Sequence, residues 1–364
     1  MLKMKKVFIY SNGCYTNRIE AKGLERLFKG NGWTCSDRAK DADFILFETC
    51  AFNKEKEDEC ISTIARFAKE KNRGAQLIVC GCLPKINKKR LRDNFKGLCL
   101  DPSTLSSLGK LVPVKEGFQD ISKSQYLFDD HYQGDALYIK ISSGCMDRCA
   151  YCAVKNVFPK LVSRPKKEIL EEFRRSLKDG NRNFCITAED IGCYGLDIGT
   201  DLVGLLEDIV RLKGRYSIIL RRLNPSCLKR IGRGLVDIID SKRIRYICTP
   251  AQSGSDKVLR LMNRKYSVAE FRDFIKKARD GFSLLKIKTD FMVGFPGETE
   301  EDFRKSLDLV LESRFDKVLA FKFSKRTNTI AWGLKDCIPE EIKDARQRNI
   351  VLAHKLSVKT LTNS

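Results

Sequence analysis

Six of the fifteen cysteines stand where their spacing could hold metal. Cys145, Cys149 and Cys152 form a CxxxCxxC run within "SSGCMDRCAYCAV". Cys14, Cys50 and Cys82 lie in "SNGCYTN", "ETCAFN" and "CGCLP", each just past a short apolar run. Thiolates are soft ligands that favour iron–sulfur clusters, zinc and copper. Three of them satisfy three irons of a four-iron cubane and leave the fourth iron open. A zinc knuckle short of one ligand and three unrelated cysteines on a turn are the competing readings of CxxxCxxC. The placement after a strand, with Tyr151 directly before Cys152, favours the cluster. An odd cysteine count in a reducing compartment speaks against a disulfide framework. His131 and His354 stand alone in sequence, so a Cys/His zinc site or a histidine dyad has little material.

The elements that must position these cysteines form two blocks. In the first, strand runs alternate with helical periodicity three times: "KVFIY" into "RIEAKGLERLFKGNG", "ADFILFE" into "NKEKEDECISTIARFAKEK", and "QLIVCG" into "PKINKKRLRDNF". This pattern predicts a parallel sheet covered by helices. Ligands of open parallel sheets gather at the strand carboxyl ends, so Cys14, Cys50 and Cys82, each more than 30 residues from the next, would converge. Residues 101–135 carry turn residues without sustained periodicity and read as a linker. Six strand candidates follow: "LYIKIS", "NFCITAE", "YSIILRRL", "IRYICTPA", "KIKTDFMV" and "KVLAFKFS". All but the last precede a helix-compatible stretch, the pattern of a partial (β/α)6 barrel with its active face at the strand C-termini. "PEEIKDARQRNIVLAHKLSVK" reads as one closing helix. The expected organisation is α/β throughout. Residues 1–100 form a three-layer, flavodoxin-like parallel-sheet domain, 101–135 a linker, 136–333 the partial barrel and 334–364 a C-terminal helix.

Composition bounds the rest. The chain has 364 residues, 42% hydrophobic and 32% charged, as an ordinary globular protein of two domains does. No run approaches the ~18 apolar residues of a membrane span, and the start runs straight into a strand without a signal-peptide pattern, so a cytoplasmic location without membrane partners is expected. A net charge of +22 attracts polyanions, which suits tRNA, ribosomal RNA or an acidic peptide, and equally suits a solvated basic surface.

The segment Gly144–Cys152 resembles the signature of the radical S-adenosylmethionine (SAM) enzymes. "SNGCYTNRIEA", "ETCAFN" and "VCGCLP", followed in order by "LVSRPKKEI", "ITAEDIGCYGLDIGT", "LRRLNPSCL", "PAQSGSDKVLRLMNRKY" and "TDFMVGFPGETEEDF", are similar to the radical SAM methylthiotransferase family over nearly the whole chain. The resemblance implies two 4Fe-4S clusters, one on Cys145, Cys149 and Cys152 whose open iron chelates SAM, and an auxiliary one on Cys14, Cys50 and Cys82 that carries sulfide or polysulfide. SAM serves there both as methyl donor and as radical source, a cofactor chemistry that side chains alone do not supply. Two clusters facing one cleft, reduced by a flavodoxin or ferredoxin, give the geometry that methylthio insertion at an unactivated C–H bond needs.

Further residues take expected roles by position. Glu189 and Asp190 would receive the SAM ammonium or a substrate group, or lie in a solvated turn. Arg221 and Arg222 would neutralise the SAM carboxylate or a substrate anion, or be surface charges. Gln252, Ser253 and Gly254 suit ribose or adenosine contacts. Gly294, Pro296 and Gly297 allow close backbone approach to adenine, or simply shape a loop. The remaining cysteines read as packing residues, and Cys193 in "DIGCYG" borders the expected cleft.

Two segments depart from the family: "VKNVFPKLVSRP" lacks the usual Arg-Gly, and "FSKRTNTIAW" has Thr-Asn where Pro-Gly is common. The sequence also stops where the family's TRAM barrel would begin. These departures favour a peptide or protein substrate, such as a ribosomally made natural-product precursor. A tRNA carrying a modified adenosine, such as threonylcarbamoyladenosine, is the alternative.

Overall fold

The computed structural model describes residues 5–112, 126–130, 134–335 and 337–362; His131 and residues 113–125 of the stretch read as a linker lie outside them. The chain divides into two compact units. The first comprises Met1–Tyr126 with Cys152–Val157 and Lys325–Asn328, the second Leu127–Tyr151, Phe158–Ser324 and Thr329–Ser364.

In the first unit the strands are β1 (Lys6–Ser11), β2 (Thr34–Cys35), β3 (Phe44–Thr49), β4 (Gln76–Gly81) and β5 (Leu98–Cys99). They pair in parallel in the order β2-β1-β3-β4-β5, the flavodoxin-like order. Strands β2 and β5 are two residues long, too short for any period to announce them. Val7, Leu46 and Ile78 pack beneath Leu24 and Phe28 of the helix Tyr15–Gly30. The stretch expected to be linker also contributes to this core. Leu105, Leu108 and Val112, at the three- and four-residue spacing of a helix face, are buried in it from the turns Leu105–Ser107 and Leu108–Leu111.

The second unit begins with β6 (Tyr126–Asp130), β7 (Gly134–Lys140), β8 (Ser142–Ser143) and β9 (Val162–Ser163). It continues with β10 (Asn183–Thr187), β11 (Ser217–Leu220), β12 (Ile244–Cys248), β13 (Lys286–Val293) and β14 (Lys317–Lys322). Strands β7 and β10 to β14 are the six expected ones. They run parallel in sequential order, with β6 beyond β7 at the edge. Period-two alternation sorts their side chains. Leu137, Ile139, Phe184, Ile186, Ile218 and Leu220 join the core formed with the helices. The alternate positions hold Tyr138, Lys140, Arg221 and Lys288, all buried, with the Arg221 guanidinium 5.8 Å from the Tyr138 ring. One face is therefore apolar, and the other sets buried charges among Tyr138, Cys185, Ile219 and Tyr246.

The closing helix runs from Glu340 to Thr362 and pins the loop after β13. Gly294 has φ 73°, and a Cβ there would come within 2.4 Å of Lys343 Cγ. The Gly294 amide donates to Glu298 Oε2 at 2.7 Å, and Arg346 Nη1 donates to the same oxygen at 2.7 Å. The space above Gly294, expected to admit adenine, is filled by a lysine stem of the closing helix. Pro296 is buried in the same loop, while Gly297 is exposed and its carbonyl accepts from Lys257 Nζ at 3.0 Å.

The Arg346–Glu298 pair is buried on both sides. Arg346→Ala should destabilise the chain by about 3–5 kcal/mol, because it leaves Glu298 buried without its partner. Replacing both by methionine should recover most of that loss, as urea midpoints will show. A second expectation concerns Asp302, which accepts from Ser255 Oγ at 2.7 Å, Lys257 Nζ at 2.8 Å and Thr299 Oγ1 at 2.8 Å. Burial alone would raise its pKa, but these bonds outweigh it and hold the carboxyl well below the ordinary range. A depressed folded-state pKa gives stability that is present above the unfolded value of about 3.9 and lost as pH falls through the folded one. Asp302→Asn should be less stable than the parent at pH 7, and urea midpoints of the two should converge as pH drops below about 4.

Candidate functional site

In the second unit, β8 and β9 pair antiparallel through Ser142 with Ser163 and Ser143 with Val162, and so close the base of the cysteine loop. Gly144 opens that loop at φ 85°, where a Cβ would lie 2.0 Å from the Lys160 carbonyl oxygen; no other residue fits. Its amide donates to Glu189 Oε2 at 2.8 Å. Downstream the turn after the helix Asp256–Leu261 clamps the loop: Ala150 N donates to Met262 O at 2.9 Å, Asn263 Nδ2 to Arg148 O at 2.7 Å, and Arg264 Nη1 to Cys149 Sγ at 3.3 Å. Burial raises the Cys149 thiol, the neighbouring Cys145 adds to the rise, and Arg264 works against both by favouring the thiolate. The Asp147 amide likewise points at Cys145 Sγ, 3.3 Å away. Cys152 is three residues beyond Cys149, where the chain enters the first unit.

Asp190 is not part of a solvated turn. It is 3% exposed, and its Oδ1 accepts from the Gly192 and Asn224 amides at 2.9 and 3.2 Å. Its Oδ2 accepts from Cys193 Sγ at 3.1 Å, with Cys145 Sγ at 3.7 Å. Burial holds its carboxyl above the ordinary value, against the hydrogen bonds from Cys193 and the two amides. Both oxygens are thus engaged within the protein. The adjacent Glu189 side chain is also buried, and its Oε1 forms an ion pair with Lys140 Nζ at 4.0 Å while accepting no hydrogen bond. Of the two acids, Glu189 is the one with an oxygen that accepts no hydrogen bond.

Arg221 is buried against Tyr138, not a surface charge. Arg222 turns through φ 61° and donates from Nη1 to Ala188 O at 3.3 Å. Gln252 turns through φ 63°, its backbone bonded to Asp290 O at 2.8 Å and Met292 N at 2.9 Å. Ser253 is 1% exposed, with its hydroxyl accepting from Ser255 N at 3.1 Å and 3.5 Å from Ser306 Oγ. A Cβ on Gly254 would meet the Lys305 carbonyl oxygen at 2.1 Å. Ser253 and Gly254 therefore dock their segment on the helix Glu300–Ser313, a packing role that position alone did not reveal.

In the first unit the three expected cysteines do converge. Cys50 and Cys82 directly follow β3 and β4, and Cys14 caps the start of the helix Tyr15–Gly30. The Cys50 thiol is pushed well above its ordinary value by its hydrogen bond with Cys14, then by burial and the charges of Cys14 and Cys82. Cys82 is raised by burial and then by Cys14, Glu20 and Glu48. Asn17 organises the group: its Oδ1 accepts from Cys14 Sγ at 3.2 Å, and its Nδ2 donates to Thr49 O at 3.2 Å, the carbonyl that also receives the Cys82 amide at 2.9 Å. Arg326 reaches the next residue of the Cys50 loop, donating to Ala51 O at 2.9 Å and pairing with buried Glu57. Such a crowd of thiols suits a cationic iron–sulfur core, which relieves the mutual repulsion of thiolates. Asn17, Arg264 and Arg326 have no role assigned from the sequence, although Asn17 and Arg264 lie in segments that carry the family resemblance and Arg326 in one that departs from it.

Known proteins match along the same division. Residues 139–310 match the Radical SAM superfamily and residues 6–100 the uncharacterized protein family UPF0004. The chain is similar to the ribosomal protein uS12 methylthiotransferase RimO of Heliobacterium modesticaldum, with 34% identity over 97% of this chain and 80% of the relative. It is also similar to the probable threonylcarbamoyladenosine tRNA methylthiotransferase of Methanocaldococcus jannaschii, with 30% identity over 91% of this chain and 78% of the relative. In fold it is similar to the radical S-adenosylmethionine methyltransferase TsrM of Kitasatospora setae, with a TM-score of 0.59 at 12% identity, covering 90% of this chain and 77% of that one.

Arg264 gives a test of the cysteine loop. Outer partners of metal ligands typically carry 10–100-fold in metal affinity. On the expected assignment of a cluster to Cys145, Cys149 and Cys152, Arg264→Met should weaken iron retention there by that factor under chelator challenge, and Arg264→Lys should restore part of it. Retention equal to the parent would deny Arg264 this role.

Proposed function

The chain belongs to the radical SAM methylthiotransferase family, and from that membership we propose a two-cluster enzyme whose substrate is a protein or peptide. It transfers a methylthio group and uses a 4Fe-4S cluster with SAM. Those cofactors, when bound, supply the one-electron chemistry that activates an inert C–H bond. The chain's own contribution is to hold them. Gly144 and Glu189 set the entry of the cysteine loop. Arg264 and the Asp147 amide face Cys149 and Cys145, favouring the thiolate forms that ligate iron. Glu189 Oε1 is the acceptor proposed for the SAM ammonium, and Arg221 the cation proposed for a carboxylate.

One observation carries the second cluster: Cys14, Cys50 and Cys82, far apart in sequence, meet at the carboxyl edge of the first sheet. We assign them the auxiliary cluster and its sulfide or polysulfide. The similarity to the uS12 enzyme, 34% against 30% for the tRNA enzyme, supports the protein reading. The net charge of +22 supports tRNA as the second reading. A small electron carrier such as flavodoxin or ferredoxin is the proposed reductant. No described helix is long and apolar enough to cross a membrane.

Anaerobically reconstituted protein should hold two four-iron clusters. A Cys145, Cys149, Cys152 triple alanine variant should retain about four irons per chain, and only one cluster in the parent would sink the auxiliary site. Cys14→Ala should still form 5'-deoxyadenosine from SAM without delivering methylthio, whereas Cys149→Ala should abolish SAM cleavage. With sulfide, SAM and reductant, mass spectrometry should find methylthio on uS12 or a candidate peptide. Modified adenosine in tRNA with no modified polypeptide would reverse the substrate assignment. On the protein reading, tRNA binding should fade by about physiological ionic strength, as screened surface contacts do.

A further inference from the structure

Beside the cluster loop lies a second set of metal-binding atoms, which shares one cysteine with it. One ligand atom each from Cys145, Asp190 and Cys193 lies within 4.8 Å of the other two. Asp190 Oδ2 is 3.1 Å from Cys193 Sγ and 3.7 Å from Cys145 Sγ. The carboxylate cannot swing away, because Oδ1 is tied by the Gly192 and Asn224 amides. Each sulfur also faces one backbone amide, Met146 N at 3.5 Å from Cys193 and Asp147 N at 3.3 Å from Cys145. Cys193 and Asp190 are 6% and 3% exposed.

These separations suit a single cation. A tetrahedral ion bound at about 2.3 Å to sulfur and 2.0–2.2 Å to oxygen holds its ligand atoms roughly 3.5–3.8 Å apart. Of the observed sulfur–oxygen distances, 3.7 Å lies within that range and 3.1 Å falls about 0.4 Å short of it, a gap that a side-chain rotation of Cys193 spans. Two sulfurs and one carboxylate form a donor set for a borderline divalent ion, with a fourth position left for water. The chelate is short: Asp190 and Cys193 come from one turn, Gly192 and the Asn224 segment hold that turn, and only Cys145 comes from elsewhere in the unit.

We propose that Cys145, Asp190 and Cys193 form a mononuclear site for a thiolate-seeking divalent cation, zinc or ferrous iron, that is occupied only while Cys145 is outside the 4Fe-4S cluster. Binding releases the two thiol protons to solvent, and no electron is transferred. Cys145 then has two alternative sets of partners, so the single ion and the cluster exclude each other. The exclusion rests on the assignment of the cluster to Cys145, Cys149 and Cys152; the mononuclear site does not.

The test uses the full-length, cluster-free chain under anaerobic conditions, with Cys14, Cys50 and Cys82 replaced by alanine to silence the other triad. Cobalt(II) is titrated in, and thiolate-to-cobalt charge transfer and tetrahedral ligand-field bands are followed. One cobalt per chain is expected. Cys193→Ala should weaken binding at least tenfold, while a Cys149→Ala, Cys152→Ala double variant should bind like its parent. Zinc added before reconstitution should slow cluster formation several-fold in the parent but not in Cys193→Ala, whose cluster also shows that the variant folds. Cobalt binding unchanged by Cys193→Ala, or lost in the Cys149, Cys152 variant, would overturn the proposal. Cys193-dependent binding in a chain that never builds a four-iron cluster would support the mononuclear site and count against the cluster assignment alone.

Discussion

A parallel sheet delivers every strand to the same edge, and the chain must leave that edge by reversing into a helix within a few residues. In the second unit the reversals pass through left-handed backbone at Gly144, Arg222, Gln252 and Gly294. For Arg222 and Gln252 this costs about 1–2 kcal/mol each, since their Cβ crowds the following carbonyl. The neighbours offset the cost: Ile191 donates to Arg222 O, and both backbone groups of Gln252 bond along β13. The cysteine loop, the Asp190 turn and the Gly294 loop all hang from this edge, so ligand placement inherits its precision from the sheet register.

The same edge explains what sequence could and could not convey. Six strands of the second sheet appear as runs of Ile, Val, Phe and Tyr, and the six cysteines proposed as cluster ligands stand out by following such runs. The first sheet's β2 and β5 are invisible because two residues have no period. Leu105, Leu108 and Val112 do have a helical spacing, but the surrounding Pro, Ser and Gly mask it and the segment reads as linker.

Position was a weaker guide to role than to place. Arg222, Gln252, Ser253, Gly254 and Gly294 do cluster at the strand ends, as expected of cofactor contacts, yet the structure engages them in turns and packing. Arg264, Asn17 and Arg326 support cysteines through one or two directed hydrogen bonds, and such bonds leave no periodicity to read. Burial divides the other cysteines: Cys60, Cys80, Cys185, Cys227 and Cys248 are packed as expected, whereas Cys337 is exposed and Cys193 is hydrogen-bonded to a carboxylate.

Arg326 lies 269 residues beyond Glu57 and 275 beyond Ala51. A ribosome adding roughly 5–20 residues per second needs about 14–55 s to cover that distance. From Cys82 onward the growing chain carries Cys14, Cys50 and Cys82 with the arginine contact to the Cys50 loop still unmade. The first unit is thus encoded first but finished near last, and its three thiols are all present in the chain long before the arginine that ties down the Cys50 loop.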